Sequence, residues 1–231
     1  MVSDLGEPVD GTAVGDTTQA DGAVTDSDTD GRADRWWTIG AVIVFALLVI
    51  VLAFVLGRRT AGPGTDEVDV GFLQDMTSHH EQAVQMSLMA LERGSDPEAQ
   101  GFAQEVVMFQ RWELGKMSAM LDERGLAPES NDPDRPVMGW MGMGGTLSEM
   151  PGMASEADIE ELESLSGVAA DLKYLELMRE HHRGGLHMAE YAVEHAEDER
   201  IRDLAEVMAR NQQAEIAEYT RAIERLEPEV G

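Results

Sequence analysis

The chain has 231 residues, a net charge of −28 and no cysteine. Phosphate repulsion at that charge excludes nucleic acid as a partner. The missing cysteine excludes disulfides, thiolate metal sites and thiol catalysis.

Residues 1–35 set acidic side chains among Gly, Ala, Thr and Ser, a composition that builds no core, and read as a disordered tail. From Trp36 to Leu56 the chain is uncharged and strongly apolar. At about 1.5 Å per residue such a run spans roughly 30 Å as a helix, the thickness of a bilayer core. Residues 36–57 are therefore expected to form one transmembrane helix. Arg32 and Arg35 precede it and Arg58 and Arg59 follow, so the positive-inside rule leaves its orientation tied. Residues 58–65, with Gly62-Pro63-Gly64, read as a linker.

A first main helix is expected from about Asp66 to Arg93, with Gly94 as its C-terminal cap. Asp96-Pro97 reads as an N-cap followed by proline at the first helical position, opening a second helix that runs to about Arg124. Residues 126–154 are loop-like, rich in Gly, Pro and Met. Ser155 and Asp158 form a capping-box signature for a short helix to about Leu165. A third main helix covers Val168 to His195, and a fourth begins near Asp198 and ends before Pro228.

Two of these helices carry the same motif. Met76, His79, His80 and Met86 recur as Met178, His181, His182 and Met188, each 102 residues later. Without a gap, Ala90 matches Ala192, Asp96 matches Asp198, Gln110 matches Gln212 and Glu113 matches Glu215. The repeats are 72–125 and 174–227, each a helical hairpin. A lone hairpin cannot bury its apolar face, so the expected fold is all-α: a four-helix bundle closed by two hairpins over residues 66–227.

Phe72, Met76, His79, Ala83, Met86 and Ala90 share one helix face, as do Tyr174, Met178, His181, Gly185, Met188, Ala192 and His195. His79 and His181 are thus expected to point inward. His80 and His182 lie about 100° around the helix, toward a neighbouring helix or the core edge. Ala83 and Gly185, one turn on, are small enough to leave room for a bound atom. Imidazole and thioether together are soft transition-metal ligands. The candidate metal ligands are His79, His80, His181 and His182, with Met76, Met86, Met178 and Met188 assisting. His187 and His195 have no counterpart in the first repeat. If Glu113 and Glu215 face inward, each needs a metal or a histidinium as partner. The spacing Met138-x-x-Met141-x-Met143 resembles methionine-rich copper-handling segments, with flexible packing over the bundle end as the alternative.

The pattern Met-x-x-His-His-x-x-Ala-x-x-Met, present as Met76 to Met86 and, with Gly185 for alanine, as Met178 to Met188, resembles domain-of-unknown-function family 305, a bacterial ferritin-like group. Ser166-Gly167 leading into Tyr174–Met178, and Gln212-Gln-Ala-Glu215-Ile216, resemble it too. The resemblance covers roughly residues 66–227. It implies export, and for some members copper binding and copper tolerance. It would place the bundle outside the cell membrane on a single-pass anchor, with copper as the bound ion for sequestration or delivery.

Two other function classes compete. A ferritin-like iron or manganese oxidase wants four carboxylates and two Glu-x-x-His motifs; this chain has no Glu-x-x-His, and Glu113 and Glu215 supply two carboxylates. A structural or interaction module would use the buried histidines for hydrogen bonding alone.

Overall fold

The computed structural model describes residues 30–60 and 66–230. The chain divides into two units at Thr60. The tail expected up to residue 35 and the linker expected over 58–65 lie largely outside the described residues.

In the first unit, α1 (Asp30–Thr60) is a single helix whose described side chains, residues 37–53, are exposed. The transmembrane expectation is corrected here. Among the described residues no helix is long and apolar enough to cross a membrane. The expected single-pass cell-membrane location, with an extracytoplasmic bundle and the membrane as partner, falls with it.

The second unit is mostly helical. Three of its helices begin where side chains satisfy the orphan N–H groups of the first turn. Asp66 accepts from Val68 and Asp69 to start α2 (Glu67–Arg93). Asp96 accepts from Ala99 to start α3 (Pro97–Asp122), with Pro97 in its first turn. The capping box of Ser155 and Asp158 forms ahead of α4 (Glu156–Ser164). Then come α5 (Val168–His195) and α6 (Glu199–Val230). Pro228 does not stop α6 but sits in its last turn, where it forfeits one backbone hydrogen bond. Gly94 caps α2 in an extended conformation rather than the left-handed one. Its lack of a side chain matters for space: a Cβ there would lie 2.0 Å from the Asp171 carboxylate.

α2 packs on α3 and on α5, α5 packs on α6, and α4 lies against α2 and α5. Contacts at both ends show that α2 and α5 run antiparallel. Ser87 and Tyr174 share a hydrogen bond of 3.1 Å at one end. At the other, Asp69 accepts from the backbone N–H of Glu197 at 2.8 Å. Two apolar clusters form the core, one holding Phe72, Met76, Met117, Met188 and Met208, the other Ala83, Met86, Met178, Tyr174 and Tyr219.

Two buried aspartates join the hairpins reciprocally. Asp171 of α5 accepts from the backbone N–H groups of Ser95 and Asp96, both at 2.7 Å, in the α2–α3 turn. Asp69 of α2 accepts from Glu197 at 2.8 Å and Asp198 at 3.1 Å, in the α5–α6 turn. Asp69 and Asp171 stand 102 residues apart, as do the turns they hold.

The segment between α3 and α4 is ordered by contacts rather than by length of secondary structure. β1 (Pro136–Val137) and β2 (Gly145–Thr146) form a two-stranded antiparallel ladder. The Asp75 carboxylate of α2 is its anchor: it accepts from the Met138 N–H at 2.8 Å and the Trp140 indole at 2.9 Å, and pairs with Arg135 at 2.9 Å. The Trp140 ring lies on Gly71, where any Cβ would come within 2.3 Å of it, and meets Phe72 edge-on.

Candidate metal centre

Between the two apolar clusters lies a polar layer, buried from water. It contains His79 and His80 of α2, His181 and His182 of α5, Gln110 and Glu113 of α3, and Gln212 of α6. The rings of His79 and His181 meet at the centre, with centroids 3.6 Å apart and planes tilted by 34°. His80 turns outward to α3, and its Nε2 is 2.8 Å from Glu113 Oε2. His182 turns outward to α6, and its Nε2 is 2.8 Å from Glu215 Oε2. Helical geometry explains the split: adjacent residues diverge by about 100°, so one ring of each pair reaches the partner hairpin and the other reaches its own. Each glutamate therefore has a histidine ring nitrogen as partner.

Burial pushes the His79 ring well below the ordinary imidazole range, and the nearby His80 and His182 rings add to the shift. Burial, followed by His79 and then His182 and His80, does the same to His181. Both rings are held neutral, which is the state that offers a lone pair.

Several polar atoms of this layer have no partner among the described residues. His79 Nε2, His80 Nδ1, both nitrogens of His181 and His182 Nδ1 are buried without a hydrogen bond, and so are Gln110 Oε1 and Gln212 Oε1. Orphan polar atoms are rare in protein interiors, and a cluster of them calls for an occupant or a cost in stability. Among the described residues, no three histidine or acidic side chains converge as a ready-made ion cage.

The four methionines of the motif are fully buried. Met76 and Met188 belong to the cluster on one side of the polar layer, and Met86 and Met178 to the cluster on the other. The small residues play a different part from the one expected. At Gly185 the open space is filled: a Cβ would meet Gln212 Oε1 at 2.3 Å and His79 Cε1 at 3.0 Å. At Gly184 a Cβ would meet the Pro151 carbonyl oxygen at 1.9 Å. A strap of residues Met150–Ala154 lies there, and Gln82 ties it by accepting from Ala154 N at 2.8 Å and donating to Ala154 O at 2.9 Å. Gly152 in the strap has φ of 87°, a conformation that favours glycine.

His187 and His195 are exposed and apart from the layer; His195 stacks on Tyr191 with centroids 4.0 Å apart. The loop methionines also divide. Met138, Met141 and Met150 are core residues packed with Trp140 and Phe72, while Met143 is exposed. Packing over the bundle, the alternative reading, is what the three buried ones show.

Residue patterns alone missed three groups. Asp69 and Asp171 obey the repeat spacing, so the offset would have exposed them. Tyr219 packs edge-on against the His182 ring with centroids 5.2 Å apart, but its repeat partner is Met117, so register hides it. Pro151 has no counterpart in the first repeat, and its approach to Gly184 has no sequence signal.

The sequence pattern of the family described as Domain of unknown function (DUF305) matches residues 69–223. A DUF305 protein of Streptomyces coelicolor, described as secreted, is 38% identical; its crystal structure superposes with a TM-score of 0.64, covering 71% of this chain and 96% of that one. A DUF305 fragment from Deinococcus radiodurans is 28% identical with a TM-score of 0.61, covering 71% of this chain and 99% of the fragment. CopM in its Cu(I)-bound form shares the fold at 22% identity and a TM-score of 0.51, covering 68% of this chain and 96% of CopM. An uncharacterised protein of Acanthamoeba polyphaga mimivirus is 34% identical over 79 residues, which are 34% of this chain. The match spans half the length of that viral protein. With the match running through both histidine pairs and both of their glutamate partners, the chain belongs to the DUF305 family.

Proposed function

We propose that this protein binds a soft transition metal, copper first among them, in the buried layer between its two hairpins. His79, His80, His181 and His182 would hold the ion, and Met76, Met86, Met178 and Met188 would assist. On this reading the four long helices are a ferritin-like four-helix bundle, and the role is sequestration or delivery of the ion rather than catalysis. The observation that carries it is the set of buried imidazole nitrogens with no partner. Neutral imidazole and thioether are the donors that suit Cu(I) where no thiolate is present. CopM, whose fold this chain shares, has been solved with Cu(I), Cu(II) and Ag bound.

The oxidase alternative is weaker on the same geometry, because Glu113 and Glu215 are each engaged by a histidine and, among the described residues, no further carboxylate enters the layer. A purely structural histidine layer is favoured by one observation, the His79–His181 stack. A Cu(I) titration under anaerobic conditions separates these readings. A ligand that binds only the folded state stabilises it by about 2.7 kcal/mol at one hundred times its Kd. Cu(I) should raise the unfolding temperature of the protein, and His79→Ala with His181→Ala should remove that rise. Equal Cu(I) affinity in parent and double variant would sink the proposed site. Preference for iron with oxygen consumption would replace it with the oxidase.

A further inference from the structure

The two outer histidines are fixed by a contact that occurs twice. His80 Nε2 meets Glu113 Oε2 at 2.8 Å, and His182 Nε2 meets Glu215 Oε2 at 2.8 Å. An ionised carboxylate only accepts hydrogen bonds, so the ring nitrogen facing it must carry the proton. In a neutral imidazole the other nitrogen is then a bare lone pair. That other nitrogen, Nδ1, is in both rings buried and without a partner.

We propose that Glu113 and Glu215 are positioning residues that hold His80 and His182 in the Nε2–H tautomer and thereby present Nδ1 of each ring as the metal-binding atom. The proposal deepens the metal-binding reading and rests on it. Carboxylates that accept the remote N–H of a ligating histidine orient the ring and raise its basicity. Here the outward turn of both rings leaves Nδ1, the nitrogen nearer the helix backbone, as the one directed away from the glutamate. Tyr219 packs edge-on against the His182 ring and restricts its rotation. His79 is set the opposite way. Its Nε2 is the nitrogen buried without a partner. The inner and outer histidines would thus offer different nitrogens, Nε2 from His79 and Nδ1 from His80 and His182.

The test is a long-range proton–nitrogen correlation spectrum of the full chain with nitrogen-15 in its histidine rings. In the metal-free protein, His80 and His182 should show a protonated Nε2 and a bare Nδ1. On adding Ag(I), a diamagnetic probe, the Nδ1 signals of both should move while Nε2 keeps its proton. Glu113→Gln and Glu215→Gln should each shift the tautomer balance of the facing ring and weaken Ag(I) binding by about 10- to 100-fold. An Nδ1–H tautomer or an imidazolium in either ring of the metal-free protein overturns the proposal, even if metal still binds. So does an Ag(I) response at Nε2 of these rings. Should both tautomers be as stated while no ring nitrogen responds to Ag(I) or Cu(I), the metal-binding reading itself fails, and the ligand half of this proposal with it. The unmodified protein decides the tautomer, so a glutamine variant that folds poorly does not spoil the test.

Discussion

His79 and His181 are packed ring on ring, centroids 3.6 Å apart, although 102 residues separate them in the chain. The contact joins the two hairpins at their centre, and the rings of His80 and His182 lie close enough to act on both electrostatically. Two charged imidazoles at that distance would repel strongly in a medium of low dielectric. The stack therefore requires neutral rings, which links the stability of the metal-free fold to pH.

In the unfolded chain both histidines titrate near the ordinary value of 6.5. In the folded protein both lie well below it, so between the two values the unfolded chain binds more protons. Stability then rises with pH through that window, is fully present above about pH 6.5, and is lost as pH falls below it. The slope is at most about 1.4 kcal/mol per pH unit for each ring. Urea unfolding of the metal-free protein between pH 7.5 and 5 should show this loss, and His79→Gln with His181→Gln should flatten it. An equal slope in the two proteins would mean that the rings are charged in the fold.

The strap over the histidine layer makes neighbouring glycines unequal. At Gly184 an added Cβ meets the Pro151 carbonyl oxygen at 1.9 Å, and that atom is backbone in a segment tied down by Gln82. At Gly185 the first atom met is Gln212 Oε1 at 2.3 Å, the end of a flexible side chain. Alanine gains about 1 kcal/mol over glycine in a helix at either position. Gly184→Ala should nonetheless destabilise by about 1–3 kcal/mol through overpacking, and Gly185→Ala by clearly less. Equal unfolding midpoints for the two variants would show that the strap does not press on α5.

The reciprocal aspartates should be among the costliest polar positions. Asp171→Ala leaves the N–H groups of Ser95 and Asp96 without their acceptor. Hydrogen bonds to a charged group are worth about 1.5–3 kcal/mol each, so a loss of about 3–6 kcal/mol is expected in denaturant unfolding. Asp171→Asn keeps an acceptor oxygen and should cost less. Asp69→Ala should behave alike, through Glu197 and Asp198. A loss below about 1 kcal/mol at both sites would remove the aspartates as clamps.

The helices and the buried histidine pairs were legible because each rests on a periodic or repeated signal: capping residues at Asp96 and Ser155, the apolar stripe of α2 and α5, and the offset that aligns His79 with His181. Periodicity also separated inner from outer histidines. What it could not show was which neighbours fill the space beside a small residue. Gly185 read as room for a ligand, yet Gln212 from α6 enters that room, a contact between segments that no local pattern encodes. The loop misled for the same reason. Its glycines and prolines signalled irregular backbone, but Asp75, far away in sequence, turns Met138 and Trp140 inward. The apolar run in α1 was strong in sequence, but among the described residues it does not make a helix able to cross a membrane.

The methionines offer the sharpest separation between packing and binding. Met138, Met141 and Met150 are packed with Trp140 and Phe72 in one apolar cluster, and Met76, Met86, Met178 and Met188 flank the histidine layer. Replacing methionine by leucine nearly conserves volume and usually costs under about 1.5 kcal/mol, while it removes the thioether sulfur. Leucine at the three loop positions should therefore leave both fold and Cu(I) affinity close to the parent's. Leucine at the four flanking positions should also leave the fold intact, but it should weaken Cu(I) binding, because a soft donor is lost and the imidazoles remain. A competition titration with a chromophoric Cu(I) chelator reads both sets, and circular dichroism checks the folding of each. Weakening by the loop set, with none from the flanking set, would move the thioether ligands out of the helices and into the segment between α3 and α4.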